Sequence, residues 1–304
     1  MSADIPVVEV ENGIVKSVNK ELAPLFFLRS LDFTTWLESR AIDSHRTNSR
    51  LLKKALRLSN KDDANTVLAV NAVTITDNYW FKESGSDLTW ENVRFKENFF
   101  DNLALCGDFE SFNQPVSRTP ELTNIGSFEK CWRLIDNKWW LYKTGNQLEY
   151  FSELFIAKLA EKLGFPMAKY ELHDNYVRTL DFTNGNQFNF EVAESLVGDN
   201  EFYDVNFEKF YSISKDVTAD YLRMIYLDTL CSNVDRHTKN YGVLRDVNSG
   251  KIISLAPNYD NNIALIARGY PKSTNRENDK LIDFFLELLR DEPKASELFN
   301  ELEI

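Results

Sequence analysis

Apolar positions along the chain fall into short segments with two different periods. Ile5-Pro-Val-Val-Glu-Val-Glu-Asn-Gly13 alternates, which predicts a strand followed by a turn. Pro24-Leu-Phe-Phe-Leu28 is a second apolar run. Residues 33–40 carry a helical pattern with Trp36 and Leu37 on one side. Residues 47–58 continue as a short amphipathic helix whose Leu51, Leu52, Leu56 and Leu58 are core candidates. Residues 60–65 form a break and cap, and a mixed apolar run follows at Thr66–Ile75. Tyr79, Trp80, Phe81 and Trp90 lie on turn-rich ground, as core of a small irregular region.

Residues 107–121 hold two prolines and several turn formers, and they mark a boundary. Beyond it the pattern predicts strand–loop–strand over 122–143, turning at Asp136-Asn137. A helix over 148–163 follows, stopped by Gly164. Residues 166–172 and 176–182 read as a hairpin around His173-Asp174-Asn175, and residues 188–196 as a further strand. A polar and aromatic connection, 198–215, leads into a mostly apolar helix opening at Asp216, a candidate N-cap. Two short strands, Tyr241–Leu244 and Lys251–Leu255, are joined by Asp246-Val-Asn-Ser-Gly250 as a hairpin. A helix near Leu281–Leu289 and a second short one close the chain.

Composition narrows the class. With 304 residues, 43% hydrophobic and 27% charged, the chain is an ordinary globular sequence long enough for two or three units with cores. A formal net charge of −12 argues against direct, sequence-independent nucleic-acid binding and against an anionic membrane surface. The basic residues of 47–58 read as a solvated face. Cys106, Cys131 and Cys231 are widely spaced and odd in number, so neither a disulfide framework nor a zinc site is expected. No signal-peptide pattern and no apolar run approaching about eighteen residues is present, so a cytoplasmic location without a membrane span is expected.

Candidate chemistry concentrates in residues 233–260. Asp235 is followed five residues later by Asn240, and Asp260 comes twenty after that, with the predicted hairpin between them. Carboxylate and amide oxygens suit Mg²⁺ on the phosphates of a nucleotide, and a carboxylate can act as a base. The alternative is that such residues merely satisfy turns and caps. Upstream, Lys143 ends a predicted strand and could neutralise phosphates as a point charge, or be one more surface lysine. Glu149 and Glu153 lie one turn apart on the next helix and can share a face; either could fix that lysine, or both could be solvated. Gly126 sits where a loop could cover phosphates, although one glycine is a weak signal and, taken alone, these residues read better as a simple hairpin.

Asn233-x-Asp235-Arg236-His237-x-Lys239-Asn240, followed by Ala256-Pro257-x-Tyr259-Asp260, resembles the catalytic core of the HipA-like kinases, bacterial serine/threonine protein kinases that are often toxins of toxin–antitoxin pairs. The match is strong over 233–260 and looser over about 118–200, and it leaves residues 1–112 unmatched. The resemblance implies an α+β, two-lobed protein-kinase-like fold: a small β-rich lobe at 113–197 and a mostly helical large lobe at 198–304. A small mixed α/β accessory region of unassigned role, 1–112, precedes them. It implies ATP and Mg²⁺ as cofactors. Asp235 is then the base, Asn240 and Asp260 hold the metal, and Lys143 meets the phosphates, paired with Glu153 (Glu149 as fallback). Lys239 would reach the γ-phosphate or brace the loop, and His237 would brace it. Gly126 and Ser127 belong to the phosphate-covering loop, and Glu194, Ser195 and Leu196 to the hinge that takes the adenine edge through its backbone. Thr123 falls where these kinases carry an autophosphorylated Ser. Arg268, Lys272 and Arg276 occupy the activation-loop position. The implied partners are a protein substrate with a Ser/Thr hydroxyl and a helix-turn-helix antitoxin-like protein. The rivals are a small-molecule or lipid kinase, and a silent nucleotide-binding module that acts by binding alone.

Overall fold

The computed structural model describes residues 1–268, 277–302 and 304. Its contacts divide the chain into two units: 1–144 with 178–189 and 246–251, and 145–177 with 190–245 and 252–304. Residues 1–112 pack together with the first strands of the expected small lobe.

The first unit opens with an antiparallel pair, β1 (Val8–Glu11) and β2 (Ile14–Val18). Asn12 and Gly13 both take positive φ, 51° and 77°, as a two-residue hairpin turn requires. Six short helices follow: α1 (Leu25–Ser30), α2 (Phe33–Glu38), α3 (Ser49–Ala55), α4 (Asp63–Leu68), α5 (Trp90–Val93) and α6 (Asp101–Cys106). The Asp32 and Asp62 carboxylates cap α2 and α4. Phe27, Trp36, Leu37, Val67 and Tyr79 form a buried cluster beneath these helices. Arg40 makes a buried fork to Asp77, at 3.0 and 2.9 Å, and lies over the Trp36 ring. A 3₁₀ turn, Pro120–Thr123, leads into β3 (Lys130–Ile135) and β4 (Lys138–Lys143). These pair antiparallel with Lys130 opposite Lys143, turning at Asp136 and Asn137, both at positive φ as expected for this hairpin.

The second unit opens with α7 (Gln147–Leu163). Its start is a capping box: Asn146 Oδ1 accepts from Leu148 and Glu149 N–H, while Glu149 accepts from Asn146 N–H. Gly164 ends it at φ 69°. The hairpin β5 (Tyr170–His173) and β6 (Tyr176–Leu180) follows, with β6 running on into the first unit. Next come β7 (Phe188–Val192), α8 (Glu194–Val197), α9 (Tyr203–Tyr211) and α10 (Lys215–Cys231). After the candidate loop come β8 (Gly242–Asp246) and β9 (Ile252–Leu255), then α11 (Glu277–Asp291) and α12 (Pro293–Glu301). Strands are ordered β7-β8-β9. A β-carbon at Gly242 would collide with the Glu191 carbonyl, so glycine is what lets β8 approach β7 so closely. Ile156, Ala160, Phe165, Leu227, Cys231 and Ala264 form the core that joins α7 to α10.

Two local expectations are corrected. Ser214, not Asp216, caps α10: its hydroxyl oxygen accepts from Asp216 N–H at 3.1 Å. The strand expected to run through Leu196 stops at Val192, and residues 194–197 turn into α8.

Candidate active site

The candidate loop begins where α10 stops. Ser232 at φ 54° takes the left-handed conformation that ends the helix. The loop is then wound by its own bonds: Asp235 N–H to Asn233 Oδ1 at 3.3 Å, His237 N–H to Asp235 O at 3.0 Å, and Asn240 N–H to His237 O at 2.8 Å. At its centre is Arg236, whose side chain is 3% exposed. Its Nε and Nη2 donate to both oxygens of Asp228 on α10, each at 2.9 Å. Nη1 donates to the carbonyls of Asn240 (2.7 Å) and Tyr259 (2.8 Å), and Nη2 to the Oδ1 atoms of Asn258 and Asn261 (both 2.8 Å). Asn233 Nδ2 also donates to Asp228 and to Asn261. One guanidinium therefore ties helix, loop and the 258–261 segment together, using the fork that distinguishes arginine from lysine.

This brings Asp235, Asn240 and Asp260 to one side of the second unit. Asn240 Nδ2 donates to the Asp235 carbonyl at 3.0 Å, which commits the amide nitrogen and leaves Oδ1 as the hard oxygen of this side chain. Asp260 sits at φ 63°, a left-handed conformation that Asp tolerates better than most residues, and its N–H donates to the Tyr170 hydroxyl at 3.0 Å. Burial raises the Asp235 carboxyl above the usual range, and the charge of Asp260 adds to the rise; His237 and Arg236 oppose it. Two carboxylates that feel each other, beside an amide oxygen, are a donor set that a divalent cation would relieve. No cluster of three or more His, Cys, Asp or Glu suited to a metal occurs among the described residues. Mg²⁺ is a cation that one or two carboxylates can hold, with phosphates completing its shell.

The neighbours of these groups are also in the second unit. Glu153, 2% exposed, accepts the Asn261 N–H at 3.1 Å and so bears on the residue next to Asp260. Glu149, by contrast, is spent on the α7 cap. Lys239 extends into solvent, and its ammonium lies 3.6 Å from Glu194; its backbone carbonyl accepts the Tyr259 hydroxyl. His237 Nδ1 faces Lys239 N–H at 3.2 Å, a loop-bracing contact. Glu194 N–H donates to Thr238 O and Leu196 N–H to Ala193 O, so both donors are used within the chain, and Ser195 is buried in α8.

The remaining expected residues belong to the first unit. Lys143 ends β4 and is 7% exposed, not a solvated surface lysine. Gly126 has φ 111°, a left-handed conformation that selects glycine, and the Lys130 ammonium lies against it. Ser127 is exposed. The Thr123 hydroxyl is buried in the 3₁₀ turn and donates to Val73 O at 2.6 Å and Pro120 O at 3.2 Å. Lys272 and Arg276, and the side chain of Arg268, lie outside the described residues. Asp228, Asn258 and Asn261 escaped sequence reasoning: Asp228 is an ordinary helix carboxylate in pattern, and only the Asn-rich run 258–262 hints at the other two.

A Shewanella oneidensis HipA, solved as a toxin–antitoxin complex with HipB and its operator DNA, is similar in structure with a TM-score of 0.52 at 13% identity. The similarity covers 86% of this chain and 78% of HipA. A Helicobacter pylori proinflammatory kinase, CtkA, matches with a TM-score of 0.42 at 17% identity, covering 57% of this chain and 88% of its own. No curated protein matches. The family model for the HipA-like C-terminal domain matches residues 126–303, more than half of the chain and the whole of the Asp235–Asp260 stretch, and the chain therefore belongs to the HipA-like family.

Proposed function

We propose that this chain is a HipA-type serine/threonine protein kinase that transfers the γ-phosphoryl group of ATP to a protein hydroxyl. The observation that carries this is the Asn240 amide bound to the Asp235 carbonyl, with Arg236 tying that loop to the segment that holds Asp260. Asp235, raised by burial, would orient the acceptor hydroxyl and take its proton. Asn240 Oδ1 and Asp260 would hold Mg²⁺, which neutralises charge on the transferring phosphates. Lys143 would meet the phosphates, and Glu153 would steady the site around Asp260. Gly126 and Ser127 would cover the phosphates. Lys239 is better used bracing the loop against Glu194 than reaching a phosphate. Self-phosphorylation at Thr123 would require its hydroxyl to leave Val73 and Pro120. The neighbour HipA, solved with HipB and operator DNA, supports a helix-turn-helix antitoxin-like partner for this chain.

Radiolabel transfer from ATP tests the assignment. The wild-type chain is expected to label a protein and the Asp235→Ala chain to lose that transfer while still binding ATP. Label found only in a small molecule would replace the protein acceptor, and full activity of Asp235→Ala would remove Asp235 from its role.

A further inference from the structure

Residues 1–112 lie outside the family match, and the proposed chemistry leaves them unused. Their most deeply buried charged side chain, Arg46, points at the glycine loop. Arg46 is 1% exposed. Its Nη1 donates to Asn124 O at 2.7 Å and its Nη2 to Lys130 O at 2.6 Å. These carbonyls stand at the two ends of the segment containing Gly126. Among the described residues, Ile125, Gly126, Ser127 and Phe128 take part in no hydrogen bond. The span thus makes no hydrogen bonds along 125–128 and is fastened at its ends. Nearby contacts from the same region reinforce the fastening: Asn48 N–H donates to Glu129 Oε1 at 3.1 Å, and Ile42 N–H to Leu122 O at 2.9 Å. The Glu129 carboxylate stands 4.0 Å from Arg46 Nε.

We infer that Arg46 is a positioning residue for nucleotide binding, a staple from the N-terminal region that sets the width of the Gly126 loop so that its free N–H groups can close on phosphates. The inference rests on the proposed kinase reading. The physical reason for arginine is the fork: two N–H groups on one rigid plane hold two carbonyls at a fixed separation, whereas a lysine ammonium is a point charge that fixes no such distance. A loop with preset ends loses less freedom when it closes on a ligand, so the staple acts on affinity more than on the transfer step. Residues 1–112 then form part of the phosphate-binding apparatus, not a detachable accessory.

The test compares the full-length chain with Arg46→Lys and Arg46→Gln, following Mg-ATP affinity by calorimetry, KM and kcat for ATP, and amide exchange at 125–129. Arg46→Gln is expected to weaken ATP binding by about tenfold or more, with Arg46→Lys between it and wild type. KM rises while kcat holds, and Mg-ATP protects 125–129 from exchange less than it does in the wild-type chain. Unchanged ATP affinity in both variants overturns the inference and leaves the kinase reading standing. A wild-type chain that binds no nucleotide overturns that reading and this inference together. If neither variant folds, exchange in the wild-type chain decides. Added Mg-ATP should protect 125–129 and leave 44–48 unchanged, and equal changes in both segments would show that the staple is not preset.

Discussion

Arg236 and Asp228 form a buried, two-pronged ion pair, Nε and Nη2 each 2.9 Å from a carboxylate oxygen, and the Asp235 loop is assembled around it. Burial penalises the Arg236 charge, and the Asp228 carboxylate more than offsets this, raising the guanidinium further above its usual value. Removing one partner leaves the other charged and unpaired in the interior. Arg236→Met is expected to cost about 3–5 kcal/mol of unfolding free energy, measured by urea denaturation. Asp228→Asn, which keeps the shape and one acceptor, should cost less. A loss under about 1 kcal/mol for Arg236→Met would mean that the loop does not depend on this pair.

The two carboxylates of the site should separate kinetically. Asp235→Ala is expected to lower kcat by roughly 10²–10⁴-fold with ATP affinity kept, the amount a positioned base contributes. Asp260→Ala should lose Mg-ATP affinity as well, read by titration calorimetry at several Mg²⁺ concentrations. Equal affinity losses in both variants would contradict the division of labour.

Glu149 and Glu153 offer a sharper contrast, one helical turn apart on α7. Glu149 belongs to the capping box, so Glu149→Ala should lower stability by about 1 kcal/mol and leave ATP kinetics unchanged. Glu153→Ala removes the acceptor of the Asn261 N–H beside Asp260 and should depress kcat/KM for ATP by about tenfold. The reverse pattern would assign the functional carboxylate to Glu149.

A pH dependence follows from Glu121, fully buried beneath β3. It accepts from Trp132 N–H (2.7 Å) and from the Asn98 and Asn124 side chains (both 2.8 Å). Burial nevertheless pushes its carboxyl up to about 7, against the opposing pull of Arg46. The folded chain therefore holds this proton where the unfolded chain has released it. Stability conferred at this site is complete below about pH 4.5 and is lost as pH rises through about 7. The loss is at most about 3 kcal/mol. Glu121→Gln should flatten that part of the stability profile, as followed by denaturant unfolding across the range, and an unchanged slope would exclude Glu121 as its source.

Sequence reasoning reached those parts of the molecule whose causes are local. The turn at Asp136-Asn137 and the stop of α7 at Gly164 follow from residues that tolerate positive φ, and the spacing of Asp235, Asn240 and Asp260 lies within one continuous stretch. What it missed depends on distance. Arg46 meets partners 78 and 84 residues away, and no periodicity signals such a contact. Asp228 sits eight residues before Arg236 on the buried face of α10, where it reads as one more helix carboxylate. The end of the strand at Val192 was missed for a different reason: Glu194–Val197 follows it with no punctuating Gly or Pro, and its bonds to Thr238 and Ala193 override the extended pattern.

The Arg236 junction also shapes how the site comes undone. Helix end, loop, hairpin and the Asp260 segment lie between residues 228 and 261, so the chain closes only short loops to bring them together. Such a stretch should form and open as one cooperative unit instead of fraying residue by residue. Heat or denaturant would then remove the base and the metal ligands in a single step, and partly active intermediates that retain one and lack the other would not accumulate.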